Sequence, residues 1–269
     1  MNHTVLLAGC GNMGFAMLQG WLASGALAAA DVQVVEPAEA LRGRAAALGV
    51  RAFAKADEIS APPGIVILAV KPQVMGEVVP AFARFAKGGS AFLGIAAGIG
   101  TAFMHVHLGD ATPIIRCMPN TPAAIGKGML VYWKNAHVSG ECEAFVRTLL
   151  TASGRVARVE DEALIDAVTA VSGSGPAYVF HFIECLTEAG VEAGLPRETA
   201  GELAMQTVMG SGALAAQSGE TPARLREQVT SPNGTTAAAL AVLMKDGRMK
   251  ALIGEAVEAA HRRAIELGS

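Results

Sequence analysis

The chain has 269 residues, of which 52% are hydrophobic and 17% charged, with a formal net charge of −3. A charged fraction well under the ~25% of ordinary soluble domains implies apolar surface hidden in a core or a subunit interface, and the lack of a basic run excludes nucleic acid as a partner. Four scattered cysteines (Cys10, Cys117, Cys142 and Cys185) form no Cys-x-x-Cys pair, which argues against a zinc ribbon or a disulfide scaffold.

Along the first half, short apolar runs alternate with helical stretches. Val5 to Ala8, Val32 to Val35, Ile65 to Val70, Ala91 to Ile95 and Ile114 to Cys117 are apolar on both sides and rich in β-branched or large apolar residues. They read as strands of a parallel sheet covered on both faces. Helical patterns fill the gaps at Met13 to Ser24, Glu39 to Leu48 and Val74 to Ala86. Gly128 to Trp133 and Arg155 to Val159 add further strands around a helix near Glu141 to Leu150. This is the cadence of a doubly wound α/β fold. The N-terminus enters its first strand without a basic segment or a small-residue cleavage site, so the expected location is the cytoplasm. Gly88 to Gly109 holds no Asp, Glu, Lys or Arg, but its six glycines, His105 and His107 break any continuous apolar helix. It reads as a buried strand, a Gly-rich loop and a short helix rather than a membrane span.

After about residue 160 the strand signals stop. Glu162 to Val171, Pro176 to Ala193, Arg197 to Ala216, Pro222 to Val229, Thr236 to Lys245 and Arg248 to Leu267 are helical in pattern. Pro176 and Pro222 stand where first helical positions fall, and Gly194 and Gly247 where helices end. The helices are rich in Ala and Gly with little charge, so they need a second surface to cover them. The expected organisation is a mostly parallel dinucleotide-binding domain over 1–160, followed by an all-α dimerisation and substrate-binding domain over 161–269. A simple monomeric bundle is the plainer reading of the second half.

Gly9-Cys10-Gly11-Asn12-Met13-Gly14 fits G-x-G-x-x-G directly after the first strand and opens a helix. Gly9 allows the tight turn, Gly11 lets the backbone approach a pyrophosphate, and Gly14 lets helix and strand pack; the helix N-terminus supplies N–H donors. Val70-Lys71-Pro72-Gln73 and Ala96-Ala97-Gly98 follow two further strands, and loops at the carboxyl ends of such strands face the ligand. Glu36 lies 22 residues after Gly14, where an acidic side chain bonds the ribose 2′-hydroxyl of NAD and repels the 2′-phosphate of NADP. Arg42 and Arg44 follow it and either offset that repulsion or form a solvated helix face. The cofactor is therefore NADPH, NADH or both.

Three later strings carry a resemblance: Arg116-Cys117-Met118-Pro119-Asn120-Thr121-Pro122, Ser172-Gly173-Ser174-Gly175-Pro176-Ala177-Tyr178-Val179-Phe180, and Thr230-Ser231-Pro232-Asn233-Gly234-Thr235-Thr236. With the N-terminal glycines and the Val-Lys-Pro loop, in this order and spacing, the whole chain resembles the pyrroline-5-carboxylate reductase family. The resemblance implies a Rossmann domain, a helical dimerisation domain, an active site at the subunit boundary, and dimers that often build larger rings such as decamers. It also implies cofactor contacts at Met13, Lys71, Pro72, Ala97, Asn120 and Thr121 beside Gly9, Gly11, Asn12, Gly14, Glu36, Val70 and Gly98. Ser231, Gly234, Thr235 and Thr236 would hold the carboxylate of 1-pyrroline-5-carboxylate. Asn233 stands where the family commonly has glycine, and asparagine tolerates a left-handed turn conformation. Glu36 departs further, since many relatives prefer NADPH and carry small or basic residues there.

The chemistry fits. A carboxylate is well held at a helix N-terminus, and the Ser231–Thr236 loop leads into one and adds hydroxyls, although Ser and Thr also serve as ordinary helix caps. No lysine occurs between Lys134 and Lys245. A β-hydroxyacid dehydrogenase must take a proton from an alcohol and needs such a base after its Gly-rich string. A protonated cyclic imine is already electrophilic and chiefly needs positioning, with the Thr236 hydroxyl assisting at the imine nitrogen. A catalytically silent NAD(P)H sensor would keep the glycine loop but would not need the Ser231–Thr236 pocket. His105 and His107 read as surface histidines, His181 as packed in its apolar helix, and Asp161, Glu162 and Glu141 as helix-start charges; no metal is expected.

Overall fold

The computed structural model describes residues 2–268. They form two compact units: one runs to Ser174 and takes in the chain again from Ala260, and the other is Gly175–Ala259.

In the first unit, eight strands are β1 (Val5–Ala8), β2 (Val32–Val35), β3 (Arg51–Phe53), β4 (Ile65–Leu68), β5 (Ala91–Gly94), β6 (Ile114–Met118), β7 (Gly128–Lys134) and β8 (Gly154–Arg158). They lie in the order β3-β2-β1-β4-β5-β6-β7-β8, all neighbours parallel except β6 and β7. β1, β4, β5 and β6 are buried along their whole length. Their continuous apolar runs follow from cover on both faces. Because side chains alternate, Val5 and Leu7 join one core layer with Trp21 and Leu149, while Leu6 and Ala8 join the other with Phe82 and Phe85. The first layer rests under α1 (Asn12–Ser24), and α5 (Gly140–Thr151) is tied to it by Trp21 Nε1 donating to the Leu149 carbonyl at 3.0 Å. α2 (Glu39–Ala46) follows β2; the opposite face is covered by α3 (Met75–Lys87) and α4 (Thr101–Leu108).

Two local features differ from the sequence reading. β3 gives no pattern because it has three residues, sits at the sheet edge and buries none of them. α6 (Leu164–Val168) gives way to one π-helical turn, Thr169–Gly173, closed by the Ser174 N–H on the Thr169 carbonyl at 2.8 Å. The uncharged stretch 88–109 folds as β5, a turn and α4, and no helix among the described residues is long and apolar enough to cross a membrane.

The second unit is helical: α7 (Gly175–Glu192), α8 (Arg197–Gln217), α9 (Pro222–Gln228), α10 (Thr235–Leu243) and the larger part of α11 (Arg248–Gly268). Pro222 opens α9 at its first position, while Pro176 stands one residue inside α7. Gly194 and Gly247 take left-handed φ values of 100° and 66° at the helix ends.

Candidate functional site

The strand order reverses between β1 and β4, whose carboxyl ends open a crevice in a doubly wound sheet. β1 runs into Gly9, whose φ of 91° a side chain would strain; a Cβ there would also fall 2.6 Å from Val70 Cγ1. A Cβ on Gly14 would fall 2.4 Å from the Gly9 carbonyl oxygen, so helix and turn meet this closely only because Gly14 lacks a side chain. A Cβ on Gly11 would meet nothing within 4 Å. Gly11 is therefore the open side of the turn, where a ligand can come against the backbone. α1 begins there with no side-chain cap, and its first intrahelical bond of this turn is Phe15 N–H to Gly11 O at 2.9 Å. The N–H groups of Asn12, Met13 and Gly14 precede that bond at the positive end of the helix dipole, which is the donor set a pyrophosphate needs.

Gly9, Gly11, Glu36, Val70 and Lys71 line one cavity of about 600 Å³, with Ala8 at its base. That volume suits a nucleotide-sized ligand. Glu36 is buried, yet both carboxylate oxygens are engaged: Oε2 accepts from Cys10 N at 2.8 Å and Oε1 from Ala38 N at 3.0 Å. Each oxygen keeps a lone pair for a further donor. Arg42 donates to the Glu36 and Pro37 carbonyls at 3.0 and 2.9 Å. Arg44 stacks on the Phe15 ring at 3.8 Å and donates to the Cys10 carbonyl at 3.2 Å. Neither arginine is merely a solvated helix face: Arg44 braces the glycine turn and Arg42 the loop after β2. Burial pushes the Cys10 thiol up to about 11, against the opposing pull of Arg44, so it stays protonated at neutral pH.

The remaining first-unit candidates lie outside that cavity. Pro72 opens a short 3₁₀ turn, Pro72–Val74, for which exposed Lys71 is the N-cap. Ala97 packs with Met118, Val131 and Ile165, and Gly98 (φ 74°) would place a Cβ 2.7 Å from Leu267 Cβ. Asn120 works as a brace: its Oδ1 accepts from Met129 N at 2.8 Å and its Nδ2 donates to the Ser172 carbonyl at 3.2 Å. The loop after β6 is thereby fixed to the π-helical turn. Thr121 is exposed at the start of the next 3₁₀ turn.

Sequence reasoning gave no role to Arg116, a buried cation in the middle of β6. Its Nη2 meets Asp166 Oδ1 at 2.6 Å and its Nη1 lies 3.6 Å from Glu162 Oε1. Glu162 also accepts from the Thr101 N–H at 2.7 Å and from the Thr101 hydroxyl. Glu162 is therefore more than a helix-start charge: the network joins β6, the start of α4 after the Ala97–Gly98 turn, and α6. The available signal was the arginine itself, since a charge inside an apolar strand must find buried partners.

In the second unit, Ser231-Pro232-Asn233-Gly234 is a β-turn closed by Gly234 N–H on the Ser231 carbonyl at 3.1 Å. Proline at its second position and Asn233 with φ 59° at its third give the type II pattern, so asparagine takes the conformation that glycine would. Gly234 is the N-cap of α10, Thr235 and Thr236 are its first two residues, and no side chain caps it. The first-turn N–H groups are thus uncapped at a helix end whose first two residues carry hydroxyls, an arrangement suited to a small carboxylate.

Residues 162–267 match the family model described as pyrroline-5-carboxylate reductase dimerisation, and residues 4–98 that of NADP oxidoreductase, coenzyme F420-dependent. The chain is 41% identical over 265 residues to the pyrroline-5-carboxylate reductase of Pseudomonas aeruginosa, covering 98% of this chain and 96% of the relative. The chain belongs to the pyrroline-5-carboxylate reductase family. The Escherichia coli member is 38% identical over 257 residues, 94% of each chain. Among solved structures, the family member from Coxiella burnetii superposes with a TM-score of 0.93 at 31% identity, over 99% of this chain and 98% of that one. A pyrroline carboxylate reductase from Plasmodium falciparum, solved with NADP bound, gives 0.86 at 28% identity over the same shares.

Proposed function

We propose that the chain reduces 1-pyrroline-5-carboxylate to proline with NADPH, NADH or both, the closing reaction of proline biosynthesis. Family membership that runs through both units, rather than through the nucleotide-binding half alone, carries this reading. Bound cofactor supplies a hydride from nicotinamide C4 to the imine carbon C5; the nitrogen already carries its proton, so the C=N bond becomes C–N with no further oxidant or reductant. The chain's residues then do positional work. Asn12, Met13 and Gly14 hold the pyrophosphate with their N–H groups, while Gly9 and Gly11 let it approach. Glu36 takes the ribose hydroxyls. Val70, Lys71, Pro72, Ala97, Gly98, Asn120 and Thr121 shape and brace the rest of the cofactor site. Ser231, Gly234, Thr235 and Thr236 hold the substrate carboxylate at the N-terminus of α10, and Thr236 additionally hydrogen-bonds the imine nitrogen.

Functionally, 1–160 is the cofactor domain and 161–269 the substrate-binding and dimerisation domain. Homo-oligomerisation runs through the C-terminal helices, and assembly of dimers into a decamer extends it. The cytoplasm is the fitting compartment, since all four cysteines are free.

Steady-state oxidation of NADPH and NADH with 1-pyrroline-5-carboxylate tests the reading. Turnover with either cofactor is expected, and Thr236→Val is expected to lower kcat by about tenfold or more, in the range of a lost transition-state hydrogen bond. Cofactor binding without turnover would leave a silent sensor; unchanged kcat and KM in Thr236→Val would remove that residue from the chemistry.

A further inference from the structure

His181 does not pack in its helix as its apolar neighbours in sequence imply; its side chain is 76% exposed. On α7, His181, Glu184, Cys185 and Glu188 recur at the spacing that puts them along one side. Val179, Ile183, Leu186 and Gly190 fall on the other, where a Cβ on Gly190 would stand 3.1 Å from Ala200 Cβ of α8. The polar stripe therefore faces away from the body of α8, and only Glu188 at its end reaches that helix, pairing with its first residue, Arg197, at 2.6 Å. Within the stripe, His181 Nδ1 lies 3.0 Å from Glu184 Oε2, and His181 Nε2 lies 3.6 Å from Cys185 Sγ.

We propose that His181 Nε2 and Cys185 Sγ form a chelating pair for a thiophilic divalent cation of the zinc class, with Glu184 orienting the imidazole from behind. The distances carry it. Zinc bonds of about 2.3 Å to sulfur and about 2.0–2.1 Å to nitrogen at a tetrahedral angle put the two donor atoms about 3.6 Å apart. That is the Nε2–Sγ separation found here. The Glu184 carboxylate accepts a hydrogen bond from Nδ1–H, which fixes the tautomer with its lone pair on Nε2, the arrangement that supports histidine ligands elsewhere. On binding, the Cys185 S–H bond breaks, its proton leaves to solvent, and a metal–sulfur bond forms. Among the described residues no group of three or more His, Cys, Asp or Glu side chains could hold a metal ion, so water completes the coordination and the site is an exchangeable one. The other three cysteines are buried and do not compete.

Titration of the full-length protein with Co²⁺, followed by the thiolate-to-cobalt charge-transfer band, tests the site, with Zn²⁺ as competitor. One Co²⁺ per chain is expected, displaced by Zn²⁺. Cys185→Ser abolishes the band, His181→Ala weakens binding at least tenfold, and Glu184→Gln weakens it by about tenfold, the usual cost of losing a histidine's outer partner. In the wild-type protein Zn²⁺ also protects Cys185 from alkylation, a readout that needs no variant. A band that survives in Cys185→Ser, or alkylation of Cys185 at the same rate with and without Zn²⁺, overturns the proposal.

Discussion

Glu36 was legible as a single residue because its spacing from the glycine turn ties it to one chemical job. Its second job was not legible: Oε2 holds the Cys10 amide at 2.8 Å, so the carboxylate shapes the glycine turn as well as lining the cavity. A negative group buried in the cavity wall disfavours a second negative charge on the ribose, and screening is weak where water is excluded. Glu36→Gln keeps an oxygen for the amide but removes the charge. The expected outcome is a rise of about tenfold or more in the ratio of kcat/KM for NADPH to that for NADH, equivalent to about 1.4 kcal/mol. Parallel kinetics with both cofactors measure it, and an unchanged ratio would mean that Arg42 and Arg44 already neutralise the site. The braces Arg44, Asn120 and Arg116 were invisible for a common reason: their partners are 34, 52 and 50 residues away in sequence, and no local pattern encodes such a pairing.

Elements of the first unit were readable where burial is uniform. β1, β4, β5 and β6 are apolar runs because each is covered on both faces, whereas β3 buries nothing and left no trace. At the other edge, β7 and β8 depend on a helix residue. Glu143 of α5 accepts from the Tyr132 hydroxyl at 2.7 Å and pairs with Arg158 at 3.2 Å and Lys134 at 3.7 Å, so it pins both strands. Partial burial works to raise the Glu143 carboxyl, but the Tyr132 hydroxyl, Arg158 and Lys134 outweigh it and hold it below its ordinary value of 4.5. A carboxylate lowered on folding stabilises the folded state fully above its unfolded value and loses that contribution as pH falls through the folded one. Glu143→Gln should therefore cost about 1 kcal/mol at pH 7, discounted for partial exposure of its partners. The gap between wild type and variant should narrow as pH drops below about 4.5. Urea midpoints at pH 7 and pH 4 test this, and a gap that widens on acidification would contradict the assignment.

At the scale of the molecule, the two units spend their apolar residues differently. The first encloses them in two layers around the sheet, while the second leaves Phe182, Leu203, Met205, Met209 and Leu214 between 43% and 59% exposed. Between Leu203 and Gln217, α8 carries no charged residue, and Leu203, Met205, Met209 and Leu214 project in more than one direction around its axis. A helix apolar on several sides is stable in water only when something besides its own neighbour covers it. Low charge and Ala-rich helices made that need readable from sequence, but the surface that meets it belongs to another copy of the chain and has no local signature. Met209→Glu places a charge in the uncovered apolar surface and removes nothing from the first unit. The expected result is a smaller species in sedimentation velocity, a lower and concentration-dependent melting temperature, and retained cofactor binding, because the glycine turn and Glu36 lie in the other unit. Wild-type mass in this variant and in Leu203→Glu would place the interface elsewhere on the helical unit. Loss of cofactor binding together with assembly would instead show that the first unit does not hold its fold without the oligomer.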